Sequence, residues 1–176
     1  MKANDSVYET GGIRSTAWTK YKNINLGSIR DTLDLVPIGA FYGKGLRTGV
    51  FGSYLMAAFN VSTHKFETVC KLGTGFSQAQ LKDLHQRVKT LSSDEGKAKS
   101  IAAEIYSCQS ILQPDVWLSP TEVWEVQADS LTLSKSHTAG KAAIKQRPDT
   151  QSYSGLSMRF PRFIRTRDDK VVKITA

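Results

Sequence analysis

The sequence predicts a mainly β fold, a small five-stranded Greek-key barrel with one helix inserted near 77–91. Three observations carry this. Short apolar runs rich in Leu, Val, Ile and aromatic residues are separated by Gly, Pro, Asn and Ser turn signals. One segment repeats its apolar residues clearly at helical spacing. The chain has 176 residues, 40% of them hydrophobic, which is enough for one ordinary core.

The elements follow in order. Residues 1–17 hold few apolar positions around Gly11-Gly12 and read as a leader or linker. Trp18 to Lys22 puts Lys20 and Lys22 on one side if that segment is extended. Thr32 to Phe41 reads as a strand whose Pro37 demands an edge position or a bulge, because proline has no N–H for the ladder. Tyr42 to Gly49 is a basic, glycine-rich turn. Ser53 to Phe59 and Phe66 to Leu72 are two further strands joined as a hairpin. Ser77 and Gln80 fit a capping box, and Leu81, Leu84, Val88 and Leu91 then recur on one helical face. Residues 92–120 give mixed signals: Lys97 to Tyr106 is compatible with helix, while Pro114 and Pro120 argue for loop. Glu122 to Ala128 alternates as a strand, with Leu131 to Leu133 as its possible continuation. Residues 134–154 form a polar connection, and 156–167 reads as extended chain broken at Pro161. No internal repeat is visible.

Composition bounds the function. No run of about 18 apolar residues exists, so no membrane helix is expected. Met1 to Thr10 shows no signal-peptide pattern, which points to an intracellular protein with Cys70 and Cys108 reduced. Asn60-Val61-Ser62 is then a chance sequon. Net charge is +8, which suits a polyanionic partner. The excess is uneven: residues 1–50 carry seven Lys/Arg against four Asp/Glu, and residues 138–176 carry nine against three. The middle of the chain is nearly neutral.

Candidate functional residues sit in those basic ends. Arg159, Arg162, Arg165 and Arg167 interleave with Phe160 and Phe163. Arginine offers a planar fork for phosphate, and neighbouring aromatics can stack on bases or wedge into a minor groove. On composition alone the same string is equally a basic solvent face with its phenylalanines in the core. Lys20 and Lys22 are compact cations suited to a phosphate, but such pairs are common on solvated strands. Gly43 to Gly49, with Lys44 and Arg47, allows close approach to a phosphate, or is simply a hairpin turn. It is not a Walker A loop. His64, His85 and His137 make no zinc pattern, and no nucleophile elbow or Rossmann fingerprint occurs. Phe76, between Gly-rich neighbours, reads as packing.

Four longer strings resemble the eukaryotic DNA ligase I type of ATP-dependent DNA ligase: TLDLVPIGAFYGKG (32–45), VCKLGTGFS (69–77), PDVWLSPTEVWEV (114–126) and LSMRFPRFIRTRDDK (156–170). The resemblance covers roughly residues 7–173. It implies an OB-fold DNA-binding domain over 27–176, preceded at 1–26 by the end of a nucleotidyltransferase domain and a linker. Trp18 to Lys22 resembles nucleotidyltransferase motif V, and Arg159 to Lys170 resembles motif VI. By that resemblance, Lys20 and Lys22 approach the nucleotide phosphate. Arg165, Arg167, Asp169 and Lys170 assist the pyrophosphate leaving group. Phe160 lies in the DNA minor groove, with Lys44, Arg47, Arg159 and Arg162 also facing DNA. The implied enzyme uses ATP and Mg²⁺ and seals nicks in duplex DNA through an enzyme–AMP intermediate, in repair, replication and recombination, in the nucleus.

The chain departs from the family in places. No Asp-Gly pair occurs, so the K-x-D-G nucleophile is absent from these residues. ATP and Mg²⁺ are then expected to act through an adenylation domain supplied elsewhere, and this chain alone is expected to be inactive. Asn23, Ile24 and Asn25 replace the usual K-D-Y, and 92–113 matches poorly. The competing reading is a non-catalytic OB-type nucleic-acid-binding module derived from a ligase. An RNA-capping guanylyltransferase shares the R-x-D-K-like ending but not the KLGTGFS and RFPRF strings.

Overall fold

The computed structural model describes residues 32–91, 104–146 and 148–172. They all fall in one of the chain's two compact units, Asp31–Ala176. The expectations for 1–26, including Lys20 and Lys22, and for most of 92–106 lie outside the described residues.

Three long antiparallel strands form the base: β1 (Thr32–Tyr42), β2 (Phe51–Asn60) and β3 (Lys65–Leu72). β1 pairs with β2 on one side. On its other side it pairs first with β6 (Trp124–Gln127) and then with the two-residue β5 (Val116–Trp117). It is therefore central, and Val36 to Ala40 are buried on both faces. Of the two options left by Pro37, the bulge is realised: the register with β2 shifts between Pro37 and Gly39. Gly39 admits no side chain, since a Cβ there would lie 2.5 Å from the Pro114 ring.

The two-residue β4 (Tyr106–Ser107) extends β3 in parallel, and β9 (Arg162–Thr166) extends β6. The sheet order is β4-β3-β2-β1-β6-β9, with β5 also on β1. Leu131 to Leu133 does not continue this sheet. It forms β7 (Ser130–Ser134), paired with β8 (Gly155–Arg159) in a second, two-stranded sheet. The connection between those two strands holds a short helix, α2 (Lys141–Lys145), and a 3-10 turn, Pro148–Thr150.

Thr68 draws this polar connection onto β3. Its carbonyl accepts from the N–H groups of Thr138 and Ala139 at 3.1 and 3.0 Å, and its own N–H donates to Thr138 Oγ1 at 3.0 Å. Ala139 in turn accepts from the Leu156 N–H at 2.8 Å. A chain of backbone bonds thus runs from β3 to β8. Five strands were expected, whereas the described residues contain nine, because several are pieces only two to five residues long.

Two hydrophobic clusters fill the interior, and the first is rich in aromatic rings. Trp124 and Tyr54 are fully buried, with ring centroids 4.9 Å apart. Phe76 stacks on Phe163 at 4.6 Å, which bears out its reading as packing. Burial of each such side chain is worth about 1.5–3 kcal/mol. The inserted helix is α1 (Gln78–Leu91), which lays Leu81, Leu84 and Val88 on the core. Its capping box is reciprocal: Ser77 N–H donates to Gln80 Oε1 at 2.8 Å, and Gln80 N–H donates to Ser77 Oγ at 3.2 Å. Cys70 is buried with its thiol pushed up to about 12 by desolvation, and both cysteines are free.

β9 is bulged against β6. Phe163 pairs with Val126 and Arg165 with Glu125, leaving Ile164 as an extra residue. Val126 is buried, and Phe163 follows it inward. In an unbroken strand residues 163 and 165 would share a face. The bulge at Ile164 turns Arg165 outward instead.

Candidate nucleic-acid interface

The basic loop between β1 and β2 is closed by its own backbone. Gly43 N–H donates to Val50 O at 2.9 Å and Thr48 N–H to Gly45 O at 3.1 Å. Gly43 is a necessity, because a Cβ there would meet Arg47 O at 2.1 Å. Lys44 is exposed at the loop's start. Arg47 donates through Nη1 to the carbonyls of Gly52 and Gly73, both at 2.7 Å. That guanidinium nitrogen therefore fastens the loop to the segment following β3.

The same segment holds the turn between β8 and β9. Thr74 Oγ1 donates to Pro161 O at 2.6 Å, and Phe163 N–H donates to Thr74 O at 2.9 Å. Gly75 has φ +98°, and a Cβ on it would lie 2.4 Å from Phe163 O. Gly73 to Gly75 thus brings the Lys44/Arg47 loop and the Arg159/Phe160/Arg162 turn to one region. Phe160, 48% exposed, sits at φ +51°, a left-handed conformation that disfavours any residue with a Cβ. The Arg159 guanidinium lies 5.1 Å from its ring centroid. Among the described residues no carboxylate pairs with Lys44, Arg159 or Arg162.

The other end of β9 is arranged differently. Arg165 Nε pairs with Glu125 at 2.8 Å. Arg167 donates to both oxygens of Asp169, from Nε at 2.8 Å and Nη2 at 2.7 Å, and through Nη1 to Asp34 at 3.0 Å. Lys170 also binds Asp34. Hydrogen bonding from Arg167 holds the Asp169 carboxyl well below the usual carboxylate range, and the same bond raises Arg167. Arg167, Asp169 and Lys170 are therefore gathered into one network through Asp34, with the Arg165–Glu125 pair beside it in register.

Asp34 and Glu125 were missed by sequence reasoning, as were Thr74 and Gly75. A lone acid in an apolar strand signals nothing by itself. Its significance is its register, since Asp34 lies directly opposite Glu125, which lies opposite Arg165. Among the described residues no three His, Cys, Asp or Glu side chains converge as a metal site, and no helix is long and apolar enough to cross a membrane.

Comparison with known proteins gives the family and the fold. Residues 47–170 match the family described as the C-terminal region of ATP-dependent DNA ligases. The chain is 43% identical over 167 residues to DNA ligase 1 of Arabidopsis thaliana, covering 95% of this chain and 20% of that protein. It is 46% identical over 166 residues to a DNA ligase of Sulfophobococcus zilligii, covering 94% and 25% respectively. With DNA ligase 1 of Saccharomyces cerevisiae it shares 40% over 173 residues, covering 98% and 21%. The chain thus spans about a quarter or less of these relatives. The crystallised ligase domain of M. tuberculosis LigD superimposes with TM-score 0.52 at 22% identity, covering 98% of this chain and 46% of that one. That likeness concerns the fold, which is the OB-fold of ligase domains.

Proposed function

Because the chain belongs to the ATP-dependent DNA ligases through their C-terminal region, we propose that it is the OB domain of an enzyme that seals nicks in duplex DNA. The observation that carries this is the gathering of Lys44, Arg159, Phe160 and Arg162 around Gly73 to Gly75, with no carboxylate among the described residues pairing with the three cations. Uncompensated cations draw a polyanion and release its counterions. The exposed ring of Phe160, fixed by its backbone, offers an apolar edge to a minor groove.

In this reading residues 1–26 end a nucleotidyltransferase domain, and Lys20 and Lys22 approach the nucleotide phosphate. The lysine that takes AMP from ATP, and the carboxylates that hold Mg²⁺, belong to an adenylation domain outside these residues. Arg165 and Lys170 offer donors to the departing pyrophosphate; Glu125 holds Arg165, and Arg167 with Asp169 holds the turn that carries Lys170. Repair, replication and recombination in the nucleus follow from the same reading.

Binding of a nicked duplex by this chain, followed by fluorescence anisotropy at several salt concentrations, tests the proposal. Affinity should fall steeply with salt. R159A/R162A should flatten the slope of log K against log salt by about 2, since each phosphate contact contributes about 0.9. A flat response in the wild type would overturn the reading.

A further inference from the structure

Six charges meet where β1, β6 and β9 lie side by side. Asp34, Glu125 and Asp169 stand against Arg165, Arg167 and Lys170. Asp34 and Glu125 are direct cross-strand partners. Two like charges in that position repel each other, and an apolar or uncharged pair would serve the sheet better. The barrel core does not need them, since both lie on its outer side. Their ion pairs with Arg165, Arg167 and Lys170 offset that repulsion.

The three cations are not equivalent. Arg167 has Nε, Nη1 and Nη2 engaged by two carboxylates, and its side chain is only 16% exposed. It fixes the turn that carries Asp169 and Lys170. Arg165 and Lys170 are 59% and 45% exposed, and each is held by a single carboxylate. Both could reach a phosphate, yet both are neutralised within the domain. Lys44, Arg159 and Arg162 have no such partner among the described residues.

We infer that Asp34 and Glu125 are specificity-determining residues: internal counter-anions that keep Arg165 and Lys170 off the DNA backbone and so confine duplex DNA to the Lys44/Arg159/Arg162 region. A neutralised cation releases no counterion when DNA arrives, so it contributes nothing to the electrostatic drive for binding. A denser polyanion such as the pyrophosphate end of a nucleotide can still displace the two carboxylates. This last point and the place where DNA binds rest on the proposed function, while the neutralisation of Arg165 and Lys170 does not.

The experiment is the salt dependence of nicked-duplex binding by the 176-residue chain, measured for five variants. R165A/K170A should leave the wild-type slope unchanged. D34N/E125Q should steepen it by about 1 to 2, as freed cations each add about 0.9. Adding R165A/K170A to D34N/E125Q should remove that gain. E125Q alone, which leaves the Asp34–Arg167 contact intact, should steepen the slope by about 1 and serves if the double variant does not fold. The inference fails if R165A/K170A flattens the wild-type slope, or if neither acid substitution steepens it. The R159A/R162A variant separates the two ideas: without effect there, the proposed DNA-facing region is wrong, whereas the acid variants still decide the counter-anion role.

Discussion

The two ends of β9 carry the same residue types and are held in opposite ways. At the Arg159–Arg162 turn, the backbone does the holding. Asp129 N–H donates to Arg159 O at 3.0 Å, Thr74 Oγ1 to Pro161 O at 2.6 Å and Phe163 N–H to Thr74 O at 2.9 Å. The Arg159 and Arg162 side chains pair with no carboxylate among the described residues. At the Arg165–Lys170 end, the side chains themselves do much of the holding, through Glu125, Asp34 and Asp169. A functional group is available to a ligand to the extent that something else fixes its backbone. Composition cannot distinguish these cases, because an arginine committed to structure and one kept for a ligand are written with the same letter.

The largest effect is expected from breaking the backbone scaffold. Gly75→Ala forces a Cβ against Phe163 O and into a left-handed φ. The loss should be about 3 kcal/mol, combining strain with the displaced turn, read from urea denaturation. A loss under about 1 kcal/mol would mean that the turn does not depend on Gly73 to Gly75.

Phe160→Gly separates fold from binding at the same turn. The left-handed strain is relieved while glycine adds entropy to the unfolded chain, so stability should stay within about 0.5 kcal/mol of wild type. Affinity for the nicked duplex should nevertheless fall about tenfold, the lower range for a stacking or wedging aromatic. Unchanged affinity would remove Phe160 from the DNA-facing group.

The smallest effect concerns the paired end. Asp169 has a depressed folded pKa, so it contributes stability above the ordinary carboxylate value near 4 and loses it as pH falls toward the folded value. The stability difference between wild type and D169N should be constant above about pH 4 and shrink below it. Thermal melts across that range provide the check. A difference that persists in strong acid would show that Asp169 does not act through its charge.

Much of the fold was legible because its signals are local. The capping box of Ser77 and Gln80, the apolar face of α1 and the proline at β1's bulge each follow from neighbours a few positions apart. The polar stretch 134–154 was illegible for the opposite reason. His137, Thr138 and Thr150 are buried there, and what buries the first two is a pairing of Thr138 with Thr68, seventy positions away. The site divides along the same line. The interleaved arginines and phenylalanines announce themselves in the sequence. Their sorting into bare and neutralised sets depends on Asp34, whose partners Arg167 and Lys170 are 133 and 136 positions distant.

The extra residue at Ile164 has one more consequence. It makes the register of β9, and not only its letters, part of the interface. A slip that regularised the pairing without removing a residue would leave its hydrogen bonds formed and its composition unchanged. Yet with Arg165 kept opposite Glu125, Phe163 would be turned toward water; with Phe163 kept inside, Arg165 would face the barrel. Loss of Ile164 itself would keep Phe163 inside and Arg165 outside, because the two would then be neighbours on alternate faces. The bulge acts as a frame marker, keeping the core face and the outer arginine in phase within a single short strand.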